Sequence, residues 1–153
     1  MPSPDLTISR IYPVPRETVW AACDNASGLR HWWGQPQDAV MPVCDLDFRV
    51  GGRLHMAIKR PGKDAIWFLS TYTDIRDGEH FATFMHRSDE TGNICDSDLW
   101  PPSTMTVTLE DVAEGTRLTA TQSGMLSARA TLDDYRQGWT ETLDRLAHYL
   151  ASP

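Results

Sequence analysis

The chain has 153 residues, of which 41% are hydrophobic and 23% charged, and its formal net charge is −7. This length and composition indicate one globular domain over residues 1–153 and exclude a disordered chain. The negative balance, without a local basic cluster, argues against nucleic acid as a partner.

No apolar run approaches the roughly 18 residues that a membrane span requires, and the first ten residues lack the pattern of a signal peptide. We therefore predict a cytoplasmic protein with no membrane span. Cys23, Cys44 and Cys95 have no CxxC spacing, which fits reduced thiols better than disulfides or zinc. The five histidines show no metal-ligand spacing and no dinucleotide fingerprint occurs, so we predict no metal and no cofactor.

The N-terminal part predicts one strand and two short helices. Residues Leu6–Tyr12 alternate between apolar and polar, which is typical of a strand. Pro15 suits the first turn of a helix over 15–23, because its missing N–H has no partner there in any helix. Asn25 can cap a second short helix that ends near Trp32 or Trp33.

Alternating segments dominate the middle of the chain and predict six further strands, at 45–50, 53–59, 66–75, 79–86, 104–110 and 117–122. Gly51-Gly52 indicates a tight hairpin between the first two of these strands. Residues 88–103 are polar and rich in turn formers. A loop of that length in a compact domain is usually mobile or functional.

The C-terminal segment 133–150 has the clearest helical periodicity of the chain. Five large apolar side chains recur at spacings of three and four, namely Tyr135, Trp139, Leu143, Leu146 and Leu150. Thr131 and Asp134 form a predicted capping box. A helix with so wide an apolar stripe needs a sheet to cover it. We therefore predict an α+β fold, in which a curved antiparallel sheet of order β-α-α-β6-α wraps around this helix.

Six short motifs connect this order of elements to a known superfamily. They are Val19-Trp20, Trp32-Trp33-Gly34, Arg49-Val50-Gly51-Gly52, Thr71-Tyr72-Thr73-Asp74-Ile75, Gly115-Thr116-Arg117-Leu118-Thr119 and Gly138-Trp139. With them the chain resembles the SRPBCC proteins (START-like and pollen-allergen-like domains), in the branch named for the activator of the heat-shock-protein-90 ATPase. The resemblance implies the helix-grip fold. Arg76-Asp77-Gly78 replaces the proline-rich turn usual in the family, and the 88–103 loop looks longer, so the co-chaperone role transfers less readily than the fold.

A helix-grip domain leaves space between the concave sheet face and the long helix, and an aromatic-lined cleft is the usual site for a ligand. We select candidate ligand-binding residues from the inward stripes, the wall after the second helix and the expected rim. They are Trp32, Trp33, Phe48, Met56, Phe68, Tyr72, Trp100, Met105, Met125, Tyr135 and Trp139. Each can equally belong to an ordinary core. The register of 79–86 stays open, because Phe81 and Met85 on one face are as apolar as Phe84 on the other.

Three functions remain open at this point. The first is binding of a small hydrophobic or aromatic molecule in the cavity. The second is a co-chaperone-like role through contact with the heat-shock-protein-90 ATPase, which rests on the resemblance alone. The third is a cyclase or hydrolase acting on a cavity ligand, although we recognise no catalytic motif and name no catalytic residue. A homodimer is possible.

Overall fold

The computed structural model describes residues 5–98, 100–124 and 131–152. Seven antiparallel strands form one curled sheet in the order β1-β7-β6-β5-β4-β3-β2. The strands are β1 Leu6–Tyr12, β2 Val40–Leu46, β3 Arg53–Lys59, β4 Ile66–Arg76, β5 His80–Ser88, β6 Ser103–Val112 and β7 Gly115–Ser123. The helices are α1 Arg16–Trp20, α2 Ala26–Leu29 and α3 Leu132–Ala151.

Helix α3 lies in the concave face of the sheet and is tied to its β1 edge. The Tyr12 hydroxyl donates to the Leu143 carbonyl over 2.9 Å, and Arg10 pairs with Asp144 at 2.6 Å. At its start, the capping box of Thr131 and Asp134 satisfies backbone N–H groups that the helix itself leaves unpaired. The predicted helix-grip α+β fold and its order of elements are confirmed.

The second strand differs from its predicted position. We expected a strand at 45–50, whereas β2 ends at Leu46 and begins at Val40. Pro42 conceals this strand from pattern analysis, but β2 lies at the sheet edge, where a missing N–H is tolerated. Phe48 therefore belongs to the turn before β3 and packs inward against the core.

Glycine is required at both positions of the 51–52 turn, for two different reasons. Gly51 has φ +83° and donates its N–H to the Tyr72 carbonyl over 2.8 Å. A Cβ at Gly52 would lie 2.1 Å from the Asp47 carbonyl oxygen, so no larger residue fits. The turn is thereby paired to β4, and this pairing places Phe48 beside Tyr72.

The open question about β5 is resolved by burial. Phe81 and Thr83 are buried, at 0% and 1% exposure, so the stripe that continues through Met85 and Arg87 faces the helix. His80 bonds Thr108 and His86 bonds Asp96 on the opposite side of the sheet. The histidines of β5 therefore stay outside the space between sheet and helix.

Candidate functional site: a two-chamber cavity between the sheet and α3

One end of the space between sheet and helix is filled by aromatic rings. Helix α1 and the segment after α2 bring tryptophans into it, and their rings meet those of the turn before β3 and of the central strands. Ring centroids lie 4.9 to 6.2 Å apart within this closed end, which consists of Trp20, Trp33, Phe48, Tyr72 and Phe81. Such edge-on contacts add to the stability gained by burial. This end is ordinary core.

Three of the candidate residues are part of the packed core and line neither chamber. Trp32 is completely buried and donates its indole N–H to the Ala22 carbonyl over 2.8 Å. Phe48 and Tyr72 pack against each other at 4.9 Å between ring centroids. Burial raises the pKa of the Tyr72 hydroxyl far above its usual value, as expected for a phenol held away from water.

The other end contains an inner chamber of about 180 Å³ under the first turns of α3. Its walls are mainly apolar, and among the lining residues are Trp33, Met56, Phe68, Met85, Met105, Tyr135, Gly138 and Trp139. A Cβ placed on Gly138 would meet no atom of the described residues within 4 Å, so among these residues the helix borders open space at this position.

Gln122 is the polar residue fixed within this apolar wall. Its side-chain oxygen accepts the Trp139 indole N–H over 2.8 Å, and its amide nitrogen donates to the Ser103 hydroxyl over 3.2 Å. Both hydrogen bonds are buried. They hold Trp139 in one orientation, so this ring forms a rigid part of the chamber wall.

Three further polar atoms at or beside the inner chamber have no hydrogen-bond partner among the described residues. They are Trp33 Nε1, Ser70 Oγ and Thr83 Oγ1. Ser70 pairs across the strands with Met85, and Thr83 with Met105, so both hydroxyls adjoin residues of the chamber wall. An unsatisfied buried polar group carries a free-energy penalty, which a ligand oxygen could relieve.

An outer chamber of about 350 Å³ adjoins the inner one. The two share six residues, namely Gly34, Pro36, Phe68, Met85, Gln122 and Tyr135. The outer walls also contain charged residues from the β3–β4 turn and from β5, together with Trp100 of the loop between β5 and β6. The cavity therefore changes from apolar to charged along its length.

The loop that supplies Trp100 is ordered by a carboxylate at its base. Asp89 accepts the backbone N–H groups of Thr91 and Asn93, each over 2.9 Å, and two side-chain hydrogen bonds. The hydrogen bonds from Asn93 are the main reason that the pKa of Asp89 falls to about 2. Farther along the loop, the Trp100 ring lies 5.9 Å from that of Phe68.

The remaining candidate residues all line one chamber or both, apart from Met125, which lies outside the described residues. They are Trp33, Met56, Phe68, Trp100, Met105, Tyr135 and Trp139. Sequence reasoning missed Met85, Arg87 and Gln122. The first two depend on the register of β5, and a cation or an amide on a strand is ordinarily assigned to the solvent face.

Groups able to support catalysis or metal binding are sparse in the described part of the cavity. Asp134 is the only carboxylate among the described residues of the inner chamber, and its side chain serves the capping box of α3. No cluster of three or more potential metal ligands occurs in the described ranges.

In the part of the chain that the structure describes, the large exposed apolar side chains belong to separate segments, namely Ile11, Val40, Val50, Ile94 and Leu132. They belong to β1, β2, the turn before β3, the 89–102 loop and the first residue of α3. This distribution provides no specific support for a chaperone-docking surface. None of the helices in 5–98, 100–124 and 131–152 combines the length and apolarity needed to cross a membrane.

Solved structures with the same architecture come from several bacteria. A Chromobacterium violaceum protein has a TM-score of 0.81 and 23% identity, with 97% of each chain covered. A Nitrosomonas europaea protein has a TM-score of 0.78 and 20% identity, covering 97% of this chain and 94% of its own. An AHSA1-like protein from Aeromonas hydrophila has a TM-score of 0.76 and 19% identity, covering 96% and 92%. At these identities the likeness concerns the fold.

No curated protein matches the chain in sequence. The family model of the activator of Hsp90 ATPase homolog 1-like proteins matches residues 13–151, which includes both walls of the cavity. The chain therefore belongs to the family of activator of Hsp90 ATPase homolog 1-like proteins.

Proposed function

We propose that the protein binds a small apolar or aromatic molecule in the cavity between the sheet and α3. The observation that carries this proposal is an unfilled, mainly apolar chamber directly beside a region packed ring against ring. Protein interiors normally pack to the density of organic crystals, so space of this size is not a by-product of ordinary core formation. Concave apolar sites with a few fixed polar groups are the usual form of small-molecule sites.

The dimensions define what the inner chamber accepts. An apolar cavity of about 150 Å³ is known to bind benzene. The inner chamber, at about 180 Å³, therefore suits one aromatic ring or an alkyl segment of similar bulk. The adjoining outer chamber leaves room for a chain that extends from the ring toward Trp100.

A neutral probe tests this proposal without using charge. 4-Phenylbutan-1-ol contributes one ring and a short chain, and at roughly 0.5 kcal/mol per non-hydrogen atom its Kd is on the order of 100 µM. Proton–nitrogen NMR reads the result directly, because binding should shift the indole N–H signals of Trp33 and Trp139. At ten times the Kd, the ligand should stabilise the fold by about 1.4 kcal/mol.

Gly138→Leu supplies the matched control. The new side chain enters the space beside Gly138 and also favours the helix, so the variant should fold at least as stably as the natural chain. It should lose binding of 4-phenylbutan-1-ol. The proposal fails if the natural protein shows no shift at millimolar probe, or if the filled variant binds equally well.

A further inference from the structure

The outer chamber carries charge of the opposite sign to the chain as a whole. The formal net charge is −7. The described residues that line the chamber nevertheless include Arg60, Lys63 and Arg87, against one carboxylate, Asp64. At physiological ionic strength, charges more than about 8 Å away are largely screened, so a bound group responds mainly to these neighbours. The chamber is therefore suited to an anion.

Arg87 is the cation best placed to receive it. Its position on the inward stripe of β5 brings the guanidinium close to two aromatic rings. The Arg87 Cζ atom lies 6.0 Å from the ring centroid of Phe68 and 5.4 Å from that of Trp100. One terminal nitrogen donates to the Trp67 and Ser88 carbonyls. These contacts hold the side chain in place before any ligand arrives, which reduces the entropy lost on binding.

One nitrogen of this guanidinium has no hydrogen-bond partner in the part of the chain that the structure describes. Arg87 Nε is buried and has no hydrogen-bond acceptor among the described residues, and none of their carboxylates lies within ion-pair distance of it. Arg60, by contrast, is already paired with Asp38 at 3.0 Å. A buried charged donor that lacks an acceptor is unfavourable, so the hydrogen-bonding capacity of Arg87, which lines the outer chamber, is not fully used by the described residues.

Resting on the proposed function, we propose that the ligand is an amphipathic monocarboxylate. Its ring or alkyl body occupies the inner chamber, and its carboxylate lies in the outer chamber against Arg87. A planar guanidinium matches a carboxylate in shape and charge, and the resulting charge-assisted hydrogen bonds are about twice as strong as neutral ones. The partly enclosed setting between Phe68 and Trp100 strengthens the attraction further.

The experiment compares 4-phenylbutanoate, 4-phenylbutan-1-ol and 4-phenylbutylamine, which share one body and differ in charge. Calorimetry at pH 7 should give a Kd for the acid at least about tenfold below that of the alcohol, with the amine binding most weakly. In Arg87→Met the preference for the acid should disappear, so that the Kd values of acid and alcohol agree within about twofold. Far-UV circular dichroism reports whether the variant is folded.

Arg117→Met removes the same charge elsewhere on the sheet, where Arg117 faces Glu110 at 3.9 Å. This control should keep the full preference for the acid. The inference is overturned if the natural protein binds acid and alcohol equally, or if both variants lose the preference to the same extent. In either case the proposed function stands, because the alcohol still binds. If neither ligand binds the natural protein, the proposed function fails, and this inference fails with it.

Discussion

The two ends of the space between sheet and α3 contain similar side chains but differ in what covers them. At the closed end, Trp20 of α1 and Trp33 from the segment after α2 pack against Phe81, which has no exposed surface. At the other end, the cover includes the first turns of α3 and the loop that carries Trp100, and two chambers remain beneath it. Aromatic content therefore does not distinguish core from cavity. The distinction depends on whether further side chains pack over these aromatic rings and fill the space beside them.

The largest expected difference between the ends concerns two phenylalanines. Phe81→Ala in the closed end should cost about 3–5 kcal/mol of unfolding free energy, because the packed rings cannot collapse into the vacated volume. Phe68→Ala should cost only about 1–2 kcal/mol, since Phe68 already borders both chambers. Urea denaturation measures both values. Equal costs would show that the two ends are packed alike.

Replacing glycine by alanine should change the stability of the fold in opposite directions at Gly28 and at Gly138. A Cβ on Gly28 would lie 2.7 Å from the Ala21 carbonyl oxygen and the Ala22 Cα, so Gly28→Ala should destabilise the fold by about 2 kcal/mol. Gly138 borders open space, and Gly138→Ala should stabilise the fold by about 0.5–1 kcal/mol through helix propensity. Thermal and urea unfolding measure both changes. A destabilised Gly138→Ala variant would mean that the space beside α3 is filled.

The exclusion of water from the packed interior can be tested by measuring how the unfolding free energy depends on pH. Burial raises the pKa of Tyr72 and of Tyr12 above the usual value near 10. Each tyrosine therefore contributes stability that is fully present below pH 10 and is lost as the pH rises above it, by about 1.4 kcal/mol per pH unit. Tyr72→Phe should reduce the slope of stability against pH above 10 by that amount.

Chemical denaturation between pH 9 and 11 measures this slope. Tyr12→Phe should reduce it equally, and should also lose about 1 kcal/mol at neutral pH with the hydrogen bond to the Leu143 carbonyl. An unchanged alkaline slope in Tyr72→Phe would indicate that water reaches its hydroxyl in the folded protein.

The family and the fold of this chain are established, whereas four further expectations are predictions. These are the single domain over 1–153, the cytoplasmic location, the possible homodimer and the possible chaperone partner. Limited proteolysis tests the single domain, cell fractionation tests the location, and sedimentation tests the homodimer. The chaperone partner is accessible to an ATPase assay, in which no stimulation at excess protein would dismiss it.

Local periodicity and turn chemistry make part of this structure predictable from the amino-acid sequence. The capping box at Thr131, the long helix, the need for Gly51-Gly52 and the order of the elements all follow from neighbouring residues. Pattern analysis failed at β2, because Pro42 is compatible with a strand only when that strand lies at an edge. Whether a strand is at an edge is a property of the whole sheet.

Which aromatic residues line a cavity and which belong to the core depends on how the sheet, the helices and the loops pack together. Phe48 and Phe68 both occupy predicted inward positions in the sequence pattern. In the structure, Phe48 is packed among rings, whereas Phe68 lines both chambers. The same holds for Arg87, whose inward position follows from the register of β5 and from the long loop that brings Trp100 over it. These outcomes depend on contacts between residues distant in the chain, and one sequence taken alone does not encode such contacts as a readable local pattern.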